Sequence, residues 1–349
     1  MRLLVWGASP TAAWLAARFH HLGYETIWLT QEPIAATVKR FGLELISPHY
    51  RETYSDLTIE THPENVLKPP LAWIILAMPT WALNEAVMQL GARIPPNKCP
   101  DILLVQHGIG GVEKLTTFFA EDKILSAIST RTFTWPMLPN GQIAFESVVS
   151  DGLGGFALSQ HAHALKMAHM LHVAGLGNAP IYERPSLQWS HLFWSIQANA
   201  LAAILDLAPH AIYQNPELFE IEYRQLREAI SVIDHEKVPL VELPGVDVPR
   251  LAWQVRLIPK RLLAPILQVN AKPSSLRTEL HQQWKRSDAA YLNGMVAKAA
   301  HDYGITAPIN QALAISVTDI AERRALWSQF KGNLDYLQTI IRVTSRHVR

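Results

Sequence analysis

An α/β domain followed by an all-helical one is what three features of this sequence predict. The first thirty residues read as strand, tight turn, helix and strand in immediate succession. Strand-like runs stop beyond Pro185, and the long segments after it carry helical periodicity. At 349 residues the chain is too long for one ordinary core. The expected division is residues 1–183 for the α/β part and 184–349 for the helical part.

The elements follow in order. Arg2-Leu3-Leu4-Val5-Trp6 is apolar, too short for a helix and bounded by Gly7, which predicts a buried parallel strand. After the turn Gly7-Ala8-Ser9-Pro10-Thr11-Ala12, a helix carries Trp14, Leu15, Ala17 and Phe19 up to Gly23, and Tyr24 to Leu29 is the next strand. That is half of a Rossmann-type mononucleotide-binding unit. In a dinucleotide turn the three small residues give a tight bend, room for pyrophosphate and close packing of helix on strand. Gly7 holds the first place, Ser9 the second and Ala12 the third, so Ser9 adds a side chain where phosphate approaches the backbone. The alternative is an α/β turn that binds nothing. Thr30-Gln31-Glu32 falls where the adenosine ribose is read, but Thr30 is neither the acid of an NAD site nor the arginine of an NADP site.

Residues 43 to 61 alternate around Pro48 and Tyr54 and suggest short strands. Ala72 to Ala77 is another buried strand, after which Met78-Pro79-Thr80 starts a helix with Trp81, Leu83, Ala86, Val87 and Leu90 at helical spacing. Asp101 to Val105 repeats the strand and ends at Gln106-His107-Gly108-Ile109-Gly110-Gly111. Ligands of open parallel sheets collect outside the carboxyl ends of the strands, so Gly7, Met78 and His107 are expected to border one crevice. From 123 to 158 short alternating runs read as antiparallel strands closing the sheet. A helix from about 160 to 173 carries His161, His163, His169 and His172, whose spacing lacks further metal ligands, so no metal site is assigned. Helices are expected over 186–207, 216–235, 273–303, 308–322 and 324–344. The stretch from 236 to 272, rich in Pro, Leu and Val, reads as short helices with loops and has no readable role.

Composition removes several function classes. With 31 basic against 30 acidic residues there is no electrostatic footprint for nucleic acid. Apolar runs are strand-sized, which argues against a membrane span, and no secretory signal is indicated, so a cytoplasmic location is expected. One cysteine, Cys99, rules out an internal disulfide framework. The eleven tryptophans mostly occupy apolar helix positions and read as packing residues.

The helix from Ser186 to Asn199 is the most informative part of the second half. His191, Ser195 and Asn199 recur at four-residue steps and so share one stripe of an otherwise large and apolar helix. Burying polar groups is costly unless they find partners, so such a stripe faces either a wet cleft or a satisfied network.

Here the sequence resembles the ketopantoate reductase (2-dehydropantoate 2-reductase) family over nearly its whole length except the last helix. The resemblance rests on the N-terminal turn, on Leu103-Leu104-Val105-Gln106-His107-Gly108-Ile109-Gly110 and on Trp189 through Ala203. It also rests on Pro273-Ser274-Ser275-Leu276 followed by Lys285 through Gly294. The resemblance implies NADPH-dependent reduction of a 2-keto acid to a 2-hydroxy acid in a cleft between the two domains. By position it implies that Gly7 belongs to the cofactor turn, Asn199 to the substrate asparagines and Ser275 to the substrate carboxylate. Asp288 takes the place of the family's substrate-binding glutamate if the match is anchored on Tyr291-Leu292-Asn293-Gly294; counting from Ser275 is off by one.

The departures are chemical. His191 stands where the family has its catalytic lysine, Ser195 replaces the first helix asparagine, and His107 replaces the asparagine after the fourth parallel strand. Thr30 replaces a cofactor arginine and Pro79 a cofactor lysine. A ketone still needs a proton at oxygen as hydride reaches carbon, and an imidazole can donate it. His191 is therefore the expected acid, with Asp288 orienting it or a substrate hydroxyl, and Ser195, Asn199 and Ser275 on the substrate. Gly7, Ser9, Ala12, Thr30 and His107 are expected to hold NADP or NAD, with the preference open. The alternatives are a non-catalytic dinucleotide-binding or sensing protein, and a scaffold that has lost the nucleotide. The last helix has an apolar stripe of Leu326, Trp327, Phe330, Leu334, Leu337, Ile340 and Ile341, with Arg342, Arg346 and Arg349 at its end. Packing on its own domain is the first expectation, and a homodimer the second.

Overall fold

In the computed structural model of the chain, which describes residues 1–67, 70–138, 140 and 142–347, two compact units form. The first comprises Met1–Gln106, Gly110–Leu187 and Leu243–Val246; the second comprises His107–Ile109, Gln188–Glu242 and the chain from Asp247 onward. The change of unit thus falls inside a helix, after Leu187 rather than at 183/184.

Short apolar runs in the first half become strands: β1 (Arg2–Trp6), β2 (Glu25–Leu29), β3 (Leu43–Ile46), β4 (Arg51–Tyr54), β5 (Thr58–Glu60), β6 (Trp73–Ala77), β7 (Asp101–Val105), β8 (Ile124–Ser129), β9 (Phe133–Thr134), β10 (Ser147–Ser150), β11 (Phe156–Ser159) and β12 (Ile181–Tyr182). Eight of them form one sheet in the order β12-β11-β8-β7-β6-β1-β2-β5. Its pairs are parallel apart from β11 on β8. The expectation of antiparallel strands over 123–158 holds for β11 on β8 and for β9 on β10, and is corrected for the rest: β8 extends the parallel sheet, and β10 pairs in parallel with β3 in a separate sheet ordered β4-β3-β10-β9. Gln142 to Ser147 contributes one isolated bridge, Met137 to Ile143, before β10 begins.

Side chains alternate across a strand, so β1 sends Leu3 and Val5 into one core and Leu4 into the other. The first core receives α1 (Pro10–His21) through Trp14, Leu15 and Phe19. The second receives α4 (Leu83–Arg93) through Leu83, Val87 and Leu90. α2 (Glu32–Phe41), α3 (Pro63–Val66), α5 (Gly111–Leu115) and α6 (Ala164–Val173) complete this unit. Trp14, Trp28 and Trp73 are fully buried, as expected of packing residues.

The helical unit departs from its expected spans where the backbone finds outside partners. The helix predicted over 186–207 is two: α7 (Arg184–Ser195) and α8 (Asn199–Leu205), separated by Ala198 at φ +46°. No Pro or Gly marks the break in the sequence. It is held by α10 (Pro216–Glu236), where Glu222 Oε1 accepts from Ala198 N at 2.8 Å and Gln225 Nε2 donates to Ile196 O at 3.2 Å. Freed backbone groups are thereby satisfied. α9 (Pro209–Gln214), α11 (Val248–Leu257) and α12 (Lys260–Val269) flank it. The span 273–303 is likewise divided into α13 (Ser275–His281), a short turn at Asp288–Tyr291 and α14 (Asn293–Asp302). α15 (Pro308–Ala321), α16 (Trp327–Phe330) and α17 (Leu334–His347) end the described chain, with Gly332 at φ +65° between the last two. Leu337 and Ile341 of α17 are buried within this unit, while Arg342 and Arg346 are exposed. Arg349 lies outside the described residues. Among the described residues no helix is long and apolar enough to cross a membrane.

Candidate active site

At the carboxyl edge of the parallel sheet the chain runs outward from β1 to β2 and then returns to β6 on the other side of β1, which makes β1/β6 the topological switch point. Gly7 sits there. Its amide donates to Leu29 O at 3.0 Å, and Trp28 Nε1 donates to its carbonyl at 2.9 Å. A Cβ on Gly7 would collide with the Ala77 carbonyl at the end of β6, so only glycine fits. Ser9 Oγ donates to that same Ala77 O at 2.6 Å and accepts from Ala12 N at 3.1 Å. The hydroxyl therefore caps α1 and ties it to β6. Pro10 has no N–H, and the Ala12 amide is taken by Ser9, so this helix end offers an anion fewer donors than an open one.

Thr30, at the end of β2, is 6% exposed and its Oγ1 has no partner among the described residues. A buried hydroxyl left unpaired is unfavourable, and a ligand hydroxyl would relieve it. Glu32 already belongs to α2. The turn thus fits a dinucleotide in its close backbone approach and in Thr30, and is sparing in phosphate donors.

In the helical unit the predicted stripe is mostly interior. His191, Ser195 and Asn199 are 1%, 4% and 2% exposed. They form a satisfied network rather than an open wall, which corrects the wet-stripe reading. His191 Nε2 lies 3.5 Å from Ser195 Oγ. Asn199 Nδ2 donates to Ser195 O at 3.0 Å and to Ser275 Oγ at 3.1 Å, while its Oδ1 accepts from Ser274 Oγ at 2.7 Å and Leu276 N at 3.1 Å. Both amide protons and both lone pairs are used, so Asn199 has no capacity left for a substrate. Its work is to hold Ser275. Asp288 is buried, and its amide donates to Glu279 Oε2 at 3.2 Å, which also accepts from Ser287 Oγ at 2.6 Å. Burial first and the Asp288 charge second raise the Glu279 carboxyl above the usual range.

His107, Ser275 and Lys272 are among the accessible polar groups near this network. His107 opens the His107–Ile109 segment, which belongs to the helical unit. That segment is anchored by Ile109 N donating to Tyr291 O at 3.1 Å, and a Cβ on Gly108 (φ +128°) would strike the same carbonyl. The His107 ring packs 5.5 Å from that of His191, which in turn lies 5.7 Å from the Trp194 ring. His107 keeps solvent access but is ringed by protein, and this dehydration, with the Lys272 charge second, lowers its pKa. It is a neutral imidazole at neutral pH.

Lys272 went unnoticed in the sequence because it closes the stretch whose role was opaque. The available signal was that it is the one charged residue between Leu262 and Leu276, three places before Ser275. Its Nζ donates to Trp194 O at 2.7 Å and lies 3.6 Å from the centre of the Trp194 ring. Glu222 was missed too. It is fully buried, and dehydration pushes its carboxyl up to about 8 against the pull of its hydrogen bonds from Ala198 and Gln225.

The α6-region histidines behave otherwise. His161 Nε2 contacts the Asp122 carbonyl at 2.7 Å and His163 Nδ1 pairs with Asp101, at a hollow of about 460 Å³ that starts at the first residues of β7 and β8. No cluster suited to a metal occurs among the described residues.

Comparison with known proteins adds the following. Residues 4–146 match the family described as "Ketopantoate reductase PanE/ApbA", and residues 186–320 match "Ketopantoate reductase PanE/ApbA C terminal". A 2-dehydropantoate 2-reductase of Aquifex aeolicus (strain VF5) is 21% identical over 245 residues, 68% of this chain and 73% of that protein. The crystal structure of a PanE/ApbA family ketopantoate reductase from Ralstonia eutropha JMP134 has a TM-score of 0.73 at 18% identity, covering 93% of this chain and 99% of that one. A ternary structure of D-mandelate dehydrogenase with NADH and anilino(oxo)acetate gives 0.73 at 17% identity with the same coverage.

Proposed function

Because the chain belongs to the ketopantoate reductase family, we propose that it is an NAD(P)-dependent oxidoreductase that reduces a 2-keto acid to a 2-hydroxy acid in the cytoplasm. The observation that carries this reading is the N-terminal turn, where Gly7 permits close backbone approach at the switch point and Thr30 leaves a buried hydroxyl unspent. Gly7, Ser9, Ala12 and Thr30 would hold the dinucleotide, as NADPH or NADH. When bound, it supplies hydride to the carbonyl carbon.

The chain's own residues supply the rest. Ser275 Oγ accepts from Asn199, so its proton points elsewhere and is free to meet a substrate carboxylate. His107, kept neutral, offers an accessible ring nitrogen to the substrate side. His191 lies behind it, 1% exposed, and acts on substrate through the His107 face or not at all.

The test is a titration with NADPH and with NADH followed by tryptophan fluorescence. Saturable quenching below millimolar nucleotide, followed by turnover of at least one 2-keto acid, is expected. If neither nucleotide binds, the reading fails; binding without turnover of any keto acid leaves the sensing protein in its place. Ser9 and Pro10, which use up donors at the α1 terminus, are the observation that favours that second reading.

A further inference from the structure

We propose that the proton reaching the substrate oxygen comes from Lys272, so that the acid of this site stands on the segment before α13 and not on the central helix; the inference rests on the keto-acid reading above.

The argument begins with where Nζ sits. Lysine is strongly hydrated and is rarely held among protein groups unless a carboxylate compensates it. Here the ammonium is held by the Trp194 carbonyl and by the face of the Trp194 ring, both at the last turn of α7. The acid whose charge it feels is Glu222, and at neutral pH burial keeps that carboxyl largely protonated. An ammonium with so little countercharge has its pKa lowered well below the usual lysine value, dehydration being the larger cause and Glu222 opposing it. It has three protons and spends one on Trp194 O, so two remain. Lys272 is partly exposed, in contrast to His191. The groups facing it are Glu222 of α10, His107 of the strand-end segment and, across the Trp194 ring, His191 of α7. Among these, Glu222 and His191 are buried and dehydration lowers the His107 pKa, so Lys272 is the accessible group with N–H donors left after its own contacts.

The step balances. The carbonyl π pair moves to oxygen, an O–H bond forms as one Nζ–H bond breaks, and the hydride that reduced nicotinamide supplies makes the new C–H bond. The ketone is reduced, the nicotinamide is oxidised, and Lys272 is left as an amine that regains its proton from solvent. Lys272 lies three residues before Ser275, so one short segment would bring the proton donor and the carboxylate contact to the same substrate.

Competitive acetylation tests this without turnover. Trace acetic anhydride is applied across a pH series, and incorporation at Lys272 and at the exposed Lys39 is read by peptide mass spectrometry. The midpoint at Lys272 is expected at least about one pH unit below that at Lys39, and oxamate with NADPH should slow its labelling several-fold. Equal midpoints with no protection would overturn the proposal, and this holds even if the wild type reduces no keto acid, in which case the functional reading fails separately. With a turned-over substrate, Lys272→Ala should lower kcat by about 10²–10⁴-fold, the range of general acid catalysis. It should change KM much less, and added primary amines should restore part of the rate. A structural clamp on Trp194 would be replaced by Lys272→Arg and would not respond to amines. Lys272→Ala within fivefold of wild type, or His191→Ala with the greater loss and no amine rescue at Lys272→Ala, contradicts the assignment.

Discussion

Two pairs of histidines, one in each unit, show what separates a structural imidazole from a site. His161 and His163 stand at the amino ends of the parallel strands, and each has a settled partner, the Asp122 carbonyl and the Asp101 carboxylate. His107 and His191 stack on one another in the helical unit, beside a tryptophan and a lysine with protons to spare. The first pair is exposed and spent. The second is backed by a buried network that uses up its inner members, Asn199 above all, and leaves His107, Lys272 and Ser275 facing outward. Count of polar residues does not distinguish these regions; unspent hydrogen-bonding capacity does.

If that distinction is right, the network should be the more fragile of the two. Asn199→Ala removes the acceptor of the buried Leu276 amide and the donor to the exposed Ser275 Oγ, while Ser274 Oγ keeps the residue-199 backbone carbonyl and the Arg277 amide. At ~1–3 kcal/mol for a buried group orphaned, the Leu276 amide alone makes a loss of roughly 1–3 kcal/mol the expectation in denaturant unfolding. A loss below about 1 kcal/mol would mean that the network is looser than the geometry says.

The second effect is on pH dependence. Glu222 has its carboxyl raised from 4.5 to about 8 in the folded chain, so its contribution to stability is complete below pH 4.5 and is lost as pH rises toward 8. Lys272, with its pKa lowered, acts in the opposite sense at higher pH, so the quantity to read is the difference between variant and wild type. Glu222→Gln keeps an acceptor for the Ala198 amide and should flatten the fall in melting temperature between pH 5 and 8. An unchanged slope would place the charge elsewhere.

The smallest effect is expected at the other pair. His163→Ala removes an exposed partner of Asp101 and should change stability by less than about 1 kcal/mol, with nucleotide affinity unmoved. A larger change, or an altered titration with NADPH, would give the lower hollow a part in function and erase the contrast.

The sequence made the first unit legible because five-residue apolar runs and Gly7 obey local rules. A glycine pressed against the Ala77 carbonyl leaves the same trace whatever the ligand. It also placed the polar stripe of α7. It did not show that the stripe points inward, since that depends on Glu222 and Gln225 breaking the helix at Ala198 from a distant element. Periodicity carries no sign of a bend imposed by a partner 24 residues away. The same limit hid Lys272, whose meaning comes from a tryptophan 78 residues earlier in the chain. Ser9 was read as an obstacle to phosphate, and its hydroxyl turns out to serve the fold as the cap of α1.

The most direct test of the account follows an isotope. The protein is incubated with NADPH or NADH deuterated at the transferable position and with a panel of 2-keto acids, and the products are analysed by mass spectrometry. The account predicts a 2-hydroxy acid carrying one deuterium at C2, formed in step with nicotinamide oxidation. Nucleotide binding with no labelled hydroxy acid from any member of the panel would contradict it.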